Sequence, residues 1–164
     1  MKILALGSNL SFENSSPKGN IEKAYEALIK KEIKILKKSL IYKSEAYPNK
    51  NDPEFCNSAV SIDTNLSPDK LLSVILEIEE TYGRKRYIKN SPRTLDIDII
   101  SFDDQIIDEE NLKIPHPHIQ KRLFVLFPVL DLDKNWKHPQ LLKSAEDMIK
   151  EFDQKSLNSV KRFS

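Results

Sequence analysis

Residues Ser91–Ile100 read SPRTLDIDII. Ile97, Ile99, Ile100 and the following Phe102 are apolar and strand-favouring, so the segment predicts a β-strand. Yet Asp96 and Asp98 lie inside it. Residues two apart on a strand share a face and stand about 6–7 Å apart. Two ionised carboxylates so placed repel each other and lose hydration when covered. A divalent cation removes both penalties, and oxygen donors on a rigid strand suit Mg²⁺. For a bare Asp-x-Asp the plainer explanation is an edge strand with one wet face, since carboxylates are usually exposed. The residues just upstream argue for the cation. From Gly83 to Arg93 the chain carries Arg84, Lys85, Arg86, Lys89 and Arg93 and no acid. Five such charges either spread into water on a solvated flexible loop or call for an anion, an acidic protein surface or a polyphosphate. Bases directly before a cation-binding acid pair are the equipment of phosphoryl transfer.

Working outward, Ser67-Pro68 is an N-cap followed by proline, and the helix it starts runs to about Tyr82, with Gly83 as its C-cap. Leu71, Ile75, Ile78 and Tyr82 form its apolar stripe. Glu79 continues the adjacent line at the last turn, either as a partner for the loop arginines or as a solvated edge residue. Before this helix, Phe55–Thr64 predicts a strand whose alternation puts Phe55, Asn57, Ala59 and Ser61 on one face. Glu45–Pro53 reads as a loop and Ile33–Lys43 as one long strand, lysine-rich on its wet side. Lys2–Leu6 predicts a short buried strand, and Ser16-Pro17 opens a helix with Ile21, Ala24, Tyr25, Leu28 and Ile29 on one face. Downstream, the acid strand is expected to turn back through Asp103-Asp104 into Gln105–Asp108 as a hairpin. His116 and His118, in a proline-restricted segment, read as hydrogen-bonding or structural groups rather than metal ligands. An apolar run follows at Val125–Leu130; Lys143–Phe152 predicts a terminal helix, and residues 153–164 are expected to fray. Strand–helix–strand–strand–helix–strand order argues for an α+β fold, a largely antiparallel sheet with helices on one face.

Composition narrows the function. The 164 residues suit a single domain spanning 1–164. With 26 Lys and Arg against 25 Asp and Glu, the net charge of +1 gives no global surface for nucleic acid or membrane, so an electrostatic site must be local. The single Cys56 excludes an internal disulfide and a cysteine zinc site, and fits a reducing cytoplasm. The apolar Ile3–Leu6 run is too short for a signal peptide, and no run approaches the roughly 20 residues a bilayer span needs. Gly7, Gly19 and Gly83, the only glycines, are spaced for neither a P-loop nor a dinucleotide fingerprint, so side chains must hold much of any bound phosphate.

Five segments in order carry a resemblance: LGSNL at Leu6–Leu10, the spacing from Tyr42 to Asn57 with Phe55, IEETYGRKR at Ile78–Arg86, PRTLDIDI at Pro92–Ile99, and IPHP…RLFVLFP from Ile114 to Pro128. Over about residues 1–130 the chain resembles the 6-hydroxymethyl-7,8-dihydropterin pyrophosphokinases of folate biosynthesis. The resemblance implies a ferredoxin-like α+β fold with a C-terminal helical extension, a monomer, and transfer of the β,γ-pyrophosphate of ATP to a pterin hydroxymethyl oxygen with release of AMP. It implies that Asp96 and Asp98 hold two Mg²⁺ ions. It assigns Arg84, Arg86, Arg93, His116 and Arg122 to ATP and its phosphates, with Arg84 and Arg93 on a loop that closes over the substrates, and Glu79 to the lining of the nucleotide site. Phe55 and Phe124 would stack on the pterin, Asn57 would pair with its edge, and Ser44 with backbone near Tyr47 would complete the contacts. Ser44-Glu45 stands where the family has Thr-Pro, Tyr87–Ser91 lacks a tryptophan, and Leu76 occupies a position that is sometimes polar.

A ferredoxin-like module for single-stranded nucleic acid is the alternative, since an exposed Phe beside a basic loop could stack bases. The near-zero net charge and the absence of a second aromatic near Phe55 weigh against it.

Overall fold

The computed structural model describes residues 1–46, 49–84 and 91–163. Its core runs βαβββαβ, the second strand of a βαββαβ unit being split in two. Strand β1 (Lys2–Ser8) leads to helix α1 (Pro17–Lys30), which Ser16 caps by accepting from the Gly19 N–H. Strands β2 (Lys34–Lys38), β3 (Tyr42–Ser44) and β4 (Phe55–Asp63) follow, then helix α2 (Pro68–Thr81), capped by Ser67, and strand β5 (Asp96–Phe102). The sheet is antiparallel in the order β5-β1-β4, with β2 and β3 both paired to β4, an α+β ferredoxin-like arrangement.

The expected strand Ile33–Lys43 is thus two. Ser39 breaks it, because its hydroxyl accepts the Ala59 N–H where a backbone carbonyl would, and the Leu40 N–H goes to Asp131. Between Ile3 and Leu4 the β1–β5 register shifts: Ile3 faces Ser101 and Leu4 faces Ile99, leaving Ile100 as a bulge.

Alternation on the strands feeds two cores. Leu4, Leu6, Val60, Ile62, Ile97 and Ile99 pack against α1 and α2. Helices also cover the opposite face, which was expected to lack them: Ile3, Ala5, Ala59 and Ile100 meet helix α3 (Leu123–Leu132) and helix α4 (Ala145–Ile149). The apolar run 125–130 is therefore a buried helix. The terminal helix is shorter than Lys143–Phe152, because a Ser144–Asp147 capping box fixes its start.

Two further segments depart from expectation. Strand β6 (Ile107–Asp108) pairs with β7 (Lys113–Ile114) and not back onto β5. Ile107 and Ile114 lie opposite each other, and packing of the ribbon against the α1–α2 core buries Ile114 fully and Ile107 in part. The tail was expected to fray over 153–164, and its described residues, 153–163, do not. It forms helix α5 (Gln154–Asn158), capped by Asp153, and strand β8 (Val160–Arg162), which pairs with β3. Val160 enters an apolar cluster with Tyr42 and Leu123, and the strand satisfies backbone groups on the β3 edge. Among the described residues, no helix is long and apolar enough to cross a membrane.

Candidate active site

Asp96 and Asp98 project from β5 on the α3 side of the sheet, beside Gly7 and Ala5 of β1. In the same row Gly7 faces Asn57 across β4, and Asn57 faces Tyr42 across β3. Gly7 presents no side chain between the acids and the amide, so the sheet surface stays open there as the floor of a cleft of about 760 Å³. Asp96, Asp98, Arg84, Arg93, His116, Arg122, Ser44, Phe55, Asn57 and Phe124 all line it.

The acidic end is built as a charge lattice. Glu79 is 1% exposed at the end of α2 and lines neither cleft described here, although it was expected at the nucleotide. Its Oε1 accepts the Ile97 N–H at 2.7 Å and the Arg84 guanidinium at 2.5 Å. Arg84 also pairs with Asp96 Oδ1, while Arg93 pairs with Asp96 Oδ2 at 2.5 Å. Burial works to raise the Asp96 pKa, but the two guanidiniums outweigh it and hold the carboxyl below its ordinary value. Asp98 has weaker partners, Arg122 at 3.4 Å and His116 at 3.9 Å, and its side chain is 36% exposed. Burial of the carboxyl and the charge of Asp96 push it up to about 7. Burial, reinforced by Arg122, lowers His116 to about 4, so its imidazole is neutral near pH 7. The two acids thus differ: one is neutralised by arginines and the other is poorly compensated, as a cation-binding carboxylate would be.

The opposite end is aromatic and amidic. Asn57, buried, donates from Nδ2 to the Ser44 hydroxyl at 2.9 Å, which fixes its amide and leaves Oδ1 for another donor. Phe55 and Phe124 line the same cleft, with the Arg93 guanidinium 5.7 Å from the Phe55 ring and Arg122 5.9 Å from Phe124. Phe55 and Asn57 share a face, as the strand alternation predicts. Arg86 and Tyr47 lie outside the described residues.

Several residues escaped the sequence reading. Asn9 joins the two loops that flank the cleft: its Oδ1 accepts the Arg93 N–H at 2.7 Å and its Nδ2 donates to the Pro53 carbonyl at 3.0 Å. Its place in LGSNL was the available signal. A second cleft of about 270 Å³ shares Asp98 and His116 with the first and is lined by Leu72, Ile97, Ile99 and Leu112, with Glu110 to Lys113 along its rim. Phe152, Ser156, Ser159 and Val160 line the first cleft from a tail whose polar composition gave no hint of it.

Residues 3–134 match the family described as 7,8-dihydro-6-hydroxymethylpterin-pyrophosphokinase (HPPK). The chain is 39% identical over 137 residues to the 2-amino-4-hydroxy-6-hydroxymethyldihydropteridine pyrophosphokinase of Pseudomonas aeruginosa, covering 83% of this chain and 82% of that one. It is 38% identical over 160 residues to the enzyme of the same name from Aquifex aeolicus, covering 98% and 93%. Among solved structures, the Plasmodium falciparum HPPK-DHPS chain superposes with a TM-score of 0.73 at 19% identity, which speaks to the fold. That match takes in 98% of this chain but only 46% of the Plasmodium chain, so this protein spans about half its length. The fold, the ordered motifs and the identities over most of the chain agree: the chain belongs to the 7,8-dihydro-6-hydroxymethylpterin-pyrophosphokinase family.

Proposed function

We propose that this protein transfers the β,γ-pyrophosphoryl group of ATP to the hydroxymethyl oxygen of 6-hydroxymethyl-7,8-dihydropterin, releasing AMP, as a step of folate biosynthesis. The single observation that carries this reading is one continuous cleft with two chemistries. Paired carboxylates with arginines line one part of it, and a fixed amide and two phenylalanines line another.

The residues fit Mg²⁺. Asp96 and Asp98 offer hard oxygen donors from one face of a rigid strand, and Asp98 is held only by Arg122 at 3.4 Å and a neutral His116 at 3.9 Å, a looser set of partners than the two arginines on Asp96. No cluster of three or more His, Cys, Asp or Glu side chains forms a metal cage among the described residues, which accords with an ion held by one or two carboxylates plus substrate phosphates. Asp96 and Asp98 would hold two Mg²⁺ ions, whose chemistry is to neutralise the triphosphate and stabilise in-line displacement at phosphorus.

The protein's own groups do the rest. Arg84 and Arg93, here resting on Asp96, are the cations available to a polyphosphate entering the cleft, with Arg122 across from them. The second cleft, apolar at Leu72, Ile99 and Leu112, suits the adenine, and its shared walls at Asp98 and His116 lead the phosphates toward the acids. A neutral His116 donates a hydrogen bond to a phosphate oxygen and adds no charge. The pterin edge pairs with Asn57, and its ring lies between Phe55 and Phe124. In the transfer, the hydroxymethyl oxygen bonds to the β-phosphorus while the bond from that phosphorus to the α,β-bridging oxygen breaks. The hydroxyl proton leaves, and AMP departs. The protein acts as one domain and as a monomer.

Incubation of the protein with ATP, Mg²⁺ and the reduced hydroxymethylpterin should yield AMP and one pyrophosphorylated pterin per turnover. Formation of ADP would mean attack at the γ-phosphorus and would refute this reaction. Salt-sensitive oligonucleotide binding without ATP consumption would instead revive the nucleic-acid reading, which family membership disfavours.

A further inference from the structure

The C-terminal segment reaches the main cleft. Phe152, Ser156, Ser159 and Val160 line the same cleft as Ser44, Asn57 and Phe124, yet they lie beyond residue 134, where the family match ends. They sit on the β3 side of the sheet, across β1 and β4 from the acids of β5. Val160 pairs directly with Ser44, whose hydroxyl holds the Asn57 amide. Val160 also belongs to the apolar cluster in which Phe124 and Phe152 pack.

From these contacts we infer that residues 152–160 form a specificity wall for the pterin end of the cleft, an inference that rests on the assignment of that end to a pterin. Phe152 and Val160 are positioning residues. They act through Phe124 and through the Ser44–Asn57 pair, and neither needs to touch the reacting atoms. Ser156, half-buried on α5 and lining the cleft, marks where the slot stops and so limits what the pterin ring can carry on that side.

The wall is anchored well enough to act in this way. Backbone pairing to β3 continues through the Phe163 N–H, which donates to Ile41 at 2.8 Å, and Asp153 caps α5 by accepting from Ser156. A loose tail would give neither a fixed ring nor a fixed boundary. The nucleotide end draws on β5, the β6–β7 ribbon and the loop arginines, and none of these belongs to the tail. Damage to the wall should therefore separate the two substrates.

The test measures pterin and ATP kinetics separately in Phe152→Ala, Phe152→Leu and Ser156→Trp, with binding of a non-hydrolysable ATP analogue measured alongside. Phe152→Ala is expected to raise KM for the pterin about tenfold with KM for ATP unchanged, and Phe152→Leu to restore most of the loss. Ser156→Trp, a change at a half-buried position that does not depend on core packing, should block pterin binding and leave the analogue bound. If both Phe152→Ala and Ser156→Trp keep pterin KM within about twofold of the wild type, the wall has no role in recognition. Equal weakening of both substrates would likewise reduce it to general scaffolding. Failure of the wild-type protein to bind or turn over the pterin would overturn the proposed function itself, a result distinct from either.

Discussion

The Glu79 carboxylate accepts the backbone N–H of Ile97 at 2.7 Å, so a buried acid at the end of α2 fastens the strand between the two site aspartates. The same oxygen also accepts from Arg84. Glu79 thus fixes the height of Asp96 and Asp98 above the sheet and the position of a guanidinium that faces them. Removing it leaves an orphaned amide and a partly uncompensated arginine. Glu79→Ala is expected to cost about 3–5 kcal/mol, the scale of breaking a buried ion pair. The urea midpoint should fall at unchanged slope. Glu79→Gln keeps an acceptor for Ile97 but not the charge for Arg84, and should fall between the two.

Asp96 and Asp98 answer to a different measurement. Each lies at the cleft surface and outside the apolar clusters, so Asp96→Ala and Asp98→Ala should both fold, Asp96→Ala with some loss of stability because Arg84 and Arg93 lose a partner. Turnover should drop by at least about 10²–10³-fold, as when a major electrostatic stabiliser is lost. Normal turnover in both variants would remove the metal assignment.

Gly83 governs the base of the arginine segment. Its φ is +74°, a left-handed conformation that favours glycine, and a Cβ there would collide with the Phe12 ring. Gly83→Ala should destabilise the protein by at least about 1 kcal/mol and displace Arg84. Part of that cost is steric and part is conformational. In a Phe12→Ala background the steric part should vanish, so a double-mutant cycle is expected to show coupling between the two positions.

His138 predicts an acid-sensitive C-terminal region. It is buried beside Trp136, and its Nδ1 accepts the N–H groups of Gln140 at 3.2 Å and Leu141 at 3.1 Å. Burial lowers its pKa from the ordinary 6.5. The unfolded chain therefore takes up the proton first. The stabilisation is complete above pH 6.5 and is lost as the pH falls through the lower folded-state value. Thermal unfolding from pH 8 to 5 should show this decline. His138→Asn, whose side-chain oxygen can accept the same N–H groups without titrating, should flatten it.

Local chemistry made much of this protein legible in its sequence. Ser16-Pro17 and Ser67-Pro68 start helices because a hydroxyl acceptor and a fixed φ act within one turn, and both helices begin there. Alternation in a strand is equally local, which is why Phe55 and Asn57, or Asp96 and Asp98, could be assigned to a shared face before any partner strand was known. The ordered motifs likewise pointed to the family that the chain belongs to. What depended on distant partners stayed hidden. The run at 125–130 shows no helical period because α3 is buried on nearly all sides, and Glu79 left open whether it met solvent or arginine until Ile97 and Arg84 lay beside it. The tail is polar in composition, yet Leu157, Val160 and Phe163 find apolar neighbours and an open β3 edge pairs with β8. The sequence by itself determined which residues carry the acids, the bases and the amide, and on which strand faces they lie. Only the tertiary structure decided that those faces meet in one cleft that the C-terminal segment helps line, because pairing energy and burial come from contacts between residues far apart in the chain.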